Sequence, residues 1–147
     1  MIQLSGEELF HQPQNEIWSR ICNDEFLVKC LPQVESVSRD RDGRLVCRVR
    51  AGVSFLKGTL KVTLDVYDTQ EPCSARIRVH SKGIGSLAVV DSTVELSAVE
   101  AATTQLKWQA EVVELGGLLK PVSRDLIGAT AQRVIEDGWL KFRAALE

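Results

Sequence analysis

Histidine is scarce in this chain of 147 residues: only His11 and His80 are present, and none of the four cysteines, Cys22, Cys30, Cys47 and Cys73, stands in a CxxC pair. Those absences exclude a zinc knuckle and a thioredoxin-like dithiol, and they leave metal binding without its ligand count. No stretch approaches the ~20 consecutive apolar residues of a membrane-crossing helix. A surplus of one charge sign is missing too, since 18 basic against 20 acidic residues give a net charge of −2. Neither nucleic acid nor a membrane surface is favoured globally, so any such attraction must be local. No GxGxxG, Walker A or HExxH pattern occurs, and no cofactor is expected. There is also no internal repeat, low-complexity segment or linker, which predicts one domain over residues 1–147. Met1 to Phe10 lacks a basic lead, and Ser5, Gly6, Glu7 and Glu8 break its apolar residues. A signal peptide is therefore not expected, the location predicted is cytoplasmic, and the cysteines are read as free packing thiols, two near helices and two on strands.

What is present is a change of period along the chain. Ile2 to Phe10 reads as a first strand. Gln14 to Cys22 reads as a short helix with Ile17, Trp18 and Ile21 on one side, and Asp24 to Cys30 as a second, with Asp24 as N-cap and Pro32 beyond its end. From Val34 onward apolar and polar residues alternate, which predicts strands over Gln33–Arg39, Arg44–Gly52, Lys57–Asp68, Cys73–Lys82, Leu87–Val99 and Thr103–Leu115. Asp42-Gly43 marks a tight hairpin, while Gly83 with Gly85, and Gly52 with Gly58, mark places where the chain must bend hard. The last segment, 118 to 146, is predicted to be one amphipathic helix. Its inward stripe is read as Leu119, Val122, Leu126, Thr130, Val134, Phe142 and Leu146, with Gly128, Ala131 and Gly138 too small to fill what they face.

These elements predict an α+β architecture: a curved, seven-stranded antiparallel sheet with two short helices between its first two strands, gripping a long terminal helix. The hollow under that helix is the candidate binding site. Its predicted apolar lining is Cys47, Val49, Leu60, Val62, Leu64, Ile77, Val79, Val94, Leu96, Leu106 and Trp108 from the strands, with Trp108 as a stacking plate, and Val122, Leu126, Thr130 and Val134 from the helix. The bland alternative is that the same side chains merely pack as a core. An empty cavity of about 300 Å³ would cost on the order of 7 kcal/mol, comparable to the stability of a whole domain, so a hollow grip needs a ligand or must collapse.

A second candidate is a basic patch for docking a partner, formed by Arg44, Arg48, Arg50, Lys61, Arg76 and Arg78 on outward strand positions, with His80 and Lys82 beside them and only Asp65 interrupting. Its bland reading is ordinary solubility and protection against edge pairing. Catalytic residues are not indicated: His11 is placed in a loop, His80 points outward, and Asp91-Ser92 lacks a second carboxylate at a readable spacing.

Leu4-Ser5-Gly6-Glu7, Trp18, Cys30-Leu31-Pro32, Leu56-Lys57-Gly58, Ser81-Lys82-Gly83-Ile84-Gly85, Leu115-Gly116-Gly117 and Arg124-Asp125-Leu126-Ile127 follow one another in an order and spacing that resembles the G-subunit family of carbon monoxide dehydrogenase, in the START-like (SRPBCC) helix-grip superfamily. The likeness covers nearly the whole chain, but Val89-Val90-Asp91-Ser92 stands where the family often has a second glycine cluster. The chain also stops at Glu147, where some members continue into a membrane-attaching extension. The resemblance implies a helix-grip fold with an apolar cavity. It further implies a non-enzymatic accessory of a molybdenum-containing CO dehydrogenase or related oxidoreductase, helping its assembly or membrane recruitment or carrying a quinone-like lipid. Peripheral membrane contact is compatible with it. A polyketide cyclase or hydrolase of the same superfamily, and a solid-core interaction module working through the arginine face, are the competing readings.

Overall fold

The computed structural model describes residues 2–53 and 56–146. Ser54 and Phe55, which the sequence places in a bend between Gly52 and Gly58, lie outside the described residues. The elements run β1 (Ile2–Phe10), α1 (Gln14–Ile21), α2 (Asp24–Val28), β2 (Val34–Arg39), β3 (Leu45–Val53), β4 (Leu56–Gln70), β5 (Ser74–Gly83), β6 (Ser86–Glu100), β7 (Thr103–Gly117) and α3 (Arg124–Ala145). They form one antiparallel sheet of seven strands in the order β1-β7-β6-β5-β4-β3-β2. Strands β2 to β7 are wound as consecutive hairpins, and β1 closes the far edge by pairing with β7, Ile2 opposite Val112 and Phe10 opposite Thr104.

Three of these strands are 15 residues long, and strands of that length twist and coil rather than lie flat. Register shifts at Val89/Val90 and Ala98/Glu100 between β6 and β7, and at Tyr67/Gln70 between β4 and β5, add local bends. The result is the curved α+β helix-grip arrangement that the alternating pattern predicts. Gly43 takes the left-handed angle of the β2–β3 turn (φ 79°), and at the β5–β6 turn Gly85 (φ 69°) is joined by the non-glycine Ile84 (φ 56°). A β-branched residue rarely adopts that conformation.

Several boundaries differ from expectation. Asn23, not Asp24, caps α2, its side chain accepting from the Phe26 N–H at 3.2 Å. Cys73 precedes β5 rather than lying on it. The terminal helix starts at Arg124 instead of residue 118, because Gly117 turns the chain at φ 61° and Pro121 has no N–H to continue a helix; Ser123 then caps α3 by accepting from Leu126 N–H at 3.2 Å. Leu119 and Val122 therefore sit in the turn before the helix.

The inward side of α3 also differs. Ile127, Trp139 and Phe142 are its buried residues, whereas Leu126 and Val134, predicted to face the sheet, are 44% and 41% exposed. Gly128 lies close to β1, where a methyl group would stand 3.3 Å from Ile2, whereas one at Gly138 would make ordinary contact, 3.5 Å from the Cys30 carbonyl oxygen. The helix lies along the edge strand β1. There Gln132 donates to the Ser5 carbonyl at 3.1 Å and Arg143 to that of Leu9, occupying backbone acceptors that an open edge would offer to another chain.

Two apolar clusters result. The larger centres on Phe10, Phe26, Trp139 and Phe142, whose rings meet at 5.2–6.5 Å, and it extends under α1 and α2 across the inner face of the sheet. The smaller holds Leu119 and Ile127, with Ile2, Ala51, Ala88, Leu115 and Val122 packed around them. Within the larger cluster, burial pushes the Cys30 thiol up to about 11, against the opposing pull of Lys141 and Lys29. At pH 8 iodoacetamide is expected to modify exposed Cys73 at least about tenfold faster than Cys30, because the thiolate is the reactive form. Equal rates in a mass-resolved time course would contradict the burial of Cys30.

Candidate functional site

Cross-strand register decides which side chains share a face. Cys47 lies opposite Val62, Val49 opposite Leu60, Leu64 opposite Val79, Val94 opposite Trp108 and Leu96 opposite Leu106. Together with Ile77, which pairs with Val66, all eleven strand residues predicted to line the hollow are on the inner face, as their period of two requires. Nine of them are buried; Leu60 and Val79 are only half-buried. Trp108 is 2% exposed, and its ring lies so close over Gly6 that a methyl group there would stand 2.6 Å from it. That tryptophan is packed into the wall.

Three apolar residues of the sheet are only partly covered. Leu60 touches both clusters without being sealed by either, and Val79 and Val90, which face each other across β5 and β6, are likewise partly open. On the helix, Val134 is one heptad beyond buried Ile127 and so points within ~20° of the same direction, yet it is 41% exposed where Ile127 is 7% exposed. Thr130 is half-buried between them. Leu60, Val79 and Val90 on the sheet, and Thr130 and Val134 on the helix, are thus apolar or weakly polar residues that the two clusters leave partly uncovered. Val90 escaped the sequence reading because the shift at Val89/Val90 breaks the alternation that would have revealed it.

The outer face carries the predicted basic residues, and β3, β4 and β5 are adjacent as that prediction requires. It is nonetheless much less cationic than the strands suggest. Arg44 pairs with Asp65 at 3.2 Å and Arg50 with Glu35 at 3.8 Å. Arg76 and Arg78 both bond to Asp91, at 2.7 and 2.9 Å, and the Tyr67 hydroxyl lies 2.7 Å from each oxygen of the same carboxylate. Asp91 is nearly sealed, its side chain 4% exposed beneath the two guanidiniums, which also lie over the Tyr67 ring. Burial by itself would raise the Asp91 carboxyl, but the Tyr67 hydroxyl and the two arginines outweigh it and hold the group below its usual range. The expected field of cations reduces to three exposed residues without an ion pair to any described residue, Arg48, Lys61 and Lys82.

Two open clefts are lined by residues other than these. One, of about 610 Å³, is at the α1–α2 junction beside the β2–β3 turn, among Cys22, Asp24, Asp42 and Arg44. The other, of about 470 Å³, lies on the outer face beside Asp91, Arg76, Gln109 and Glu111. Among the described residues no group of three or more His, Cys, Asp or Glu could hold a metal ion, and no helix is long and apolar enough to cross a membrane.

No curated protein matches the chain. Solved structures do. A conserved protein from Geobacillus kaustophilus superposes with a TM-score of 0.85 at 20% identity, over 97% of this chain and 93% of that one. A START superfamily protein from Mycobacterium smegmatis gives 0.69 at 14% identity, over 97% and 95%. At those identities the likeness establishes the fold, which is START-like. The family model for CoxG, the G subunit of carbon monoxide dehydrogenase, matches residues 6–147, nearly everything just described, and the chain belongs to that CoxG family.

Proposed function

We propose that this protein is a non-enzymatic accessory of a CO dehydrogenase-type molybdenum oxidoreductase, and that it holds a quinone- or lipid-like molecule between α3 and the sheet. Family membership supports the accessory role, which comprises assembly, membrane recruitment or delivery of an electron acceptor. The observation that carries the ligand is the exposure of Val134, one heptad beyond buried Ile127, together with the incomplete burial of Leu60 and Val79 on the inner face of the sheet. Partly uncovered apolar side chains on the inner face of the sheet and on the helix are what a greasy guest would cover. A guest that buries about 400 Å² of apolar surface would gain roughly 10 kcal/mol before the cost of association.

The predicted lining divides accordingly. Leu60, Val79, Thr130 and Val134 would contact the guest, with Val90 added. Cys47, Val49, Val62, Leu64, Ile77, Val94, Leu96, Leu106 and Trp108 form the wall behind it, and Val122 and Leu126 stand at the end where the chain enters the helix. Enzymatic turnover as in a cyclase or hydrolase would need ionisable groups at that site. Leu60, Val79, Val90, Thr130 and Val134 carry none.

Organic extraction of the purified protein, followed by mass spectrometry, is expected to release a hydrophobic molecule in near-stoichiometric amount. Val134→Trp should cut its retention about tenfold with little change in thermal stability, because the added ring enters open space instead of overpacking a filled core. An extract without such a molecule, or equal retention by both proteins, would sink the carrier reading.

A further inference from the structure

On the outer face, Arg48 of β3 stands directly opposite Lys61 of β4, and Lys61 directly opposite Lys82 of β5. Like charges placed opposite one another in a sheet destabilise it. The same face shows the ordinary solution elsewhere: Glu95, Lys107 and Glu7 form an equivalent row across β6, β7 and β1 in which the sign alternates. Arg50, the next outward residue of β3, and Arg44, just before that strand, also have carboxylates at hand. The triple row is thus a local exception on a face that otherwise balances its charge.

We infer that Arg48, Lys61 and Lys82 form a docking row for an acidic α-helix of a protein partner. Neighbouring strands are ~4.8 Å apart, so the three cationic side chains leave the sheet at that interval over ~10 Å. Carboxylates three or four residues apart on a helix recur at ~5–6 Å, and a helix laid across the strands would meet all three cations in step. A flat anionic bilayer fits less well, since Glu7, Glu35, Glu95 and Glu111 share this face and would be driven against its charge. The inference rests on the accessory role above only for the source of the helix, and it is independent of the proposed ligand site, which is on the opposite side of the sheet.

The test measures binding, at low and moderate salt, of a synthetic helix with glutamates on one stripe, of a control peptide of equal composition with its glutamates spread round the helix, and of anionic phospholipid vesicles. The combined variant Arg48→Gln, Lys61→Gln, Lys82→Gln is expected to lose about tenfold in affinity for the striped helix. It should unfold at the same temperature as the parent or higher, because a repulsive row has been relieved. Arg44→Gln, whose parent charge is already paired, should bind the striped helix as the parent does. Equal binding of the two peptides by the parent, undiminished binding by the triple variant, or a preference for vesicles would each overturn the inference. Loss of the extracted hydrophobic molecule with helix binding intact would count against the carrier reading alone.

Discussion

Phe142→Ala is expected to lower the unfolding free energy by about 4 kcal/mol, a large share of the stability of a domain this size. Phe142 is 1% exposed, and it is the ring through which α3 meets the rest of the molecule: Phe10, Phe26 and Trp139 all lie 5.2–5.4 Å from its centroid. Its removal empties the junction of β1, α2 and α3 together, and side chains on three different elements cannot all move to close it. Chemical denaturation followed through tryptophan fluorescence measures the loss. A shift below about 1 kcal/mol would mean that the aromatic cluster does not hold the helix on the sheet.

Asp91→Asn should cost about 2–3 kcal/mol at pH 7 and progressively less in acid. The asparagine keeps the shape and can still bond to Tyr67, but it leaves Arg76 and Arg78 side by side with no counter-charge. The figure is below the ~3–5 kcal/mol of a fully enclosed pair because both arginines keep a path to water. The sign of the pH dependence follows from the depressed Asp91 carboxyl. A carboxylate held below its unfolded value contributes stability that is fully present above that value, near ~4, and is lost as pH falls through the folded one. In acid the parent aspartate is itself neutral, so the curves of parent and variant should converge once the pH has fallen below the depressed folded-state value of Asp91. A gap that never narrows, down to the acid limit of the folded state, would show that the loss comes from shape and not from charge.

The strands and their facing were legible because a period of two needs nothing beyond neighbours in the chain. Eleven inward residues follow from it, and all eleven share a face. The phase of α3 was not legible, for a reason visible in its composition. Leu126-Ile127, Val134-Ile135 and Trp139-Leu140 are adjacent apolar pairs, so two overlapping stripes compete, and only the sheet beneath chooses Ile127, Ile135 and Trp139. The outer face shows the converse limit. Arg76 and Arg78 look like free cations in their own strand, and what neutralises them is Asp91, placed opposite Arg78 by the β5–β6 register. Spacing along a chain cannot reveal a charge supplied from the next strand.

The pairing of β1 with β7 has a consequence for synthesis on the ribosome. Ile2 and Val112 are partners across 110 positions of sequence, and Phe10 and Thr104 across 94. The first strand to emerge must therefore wait, unhoused, until nearly all of the sheet has been translated, and the helix that covers its outer rim comes later still. Contacts of such high order fold slowly and leave backbone groups open to strangers in the interval. Nascent chains should be most vulnerable to aggregation late in the synthesis of this sheet, just before β1 and β7 find each other.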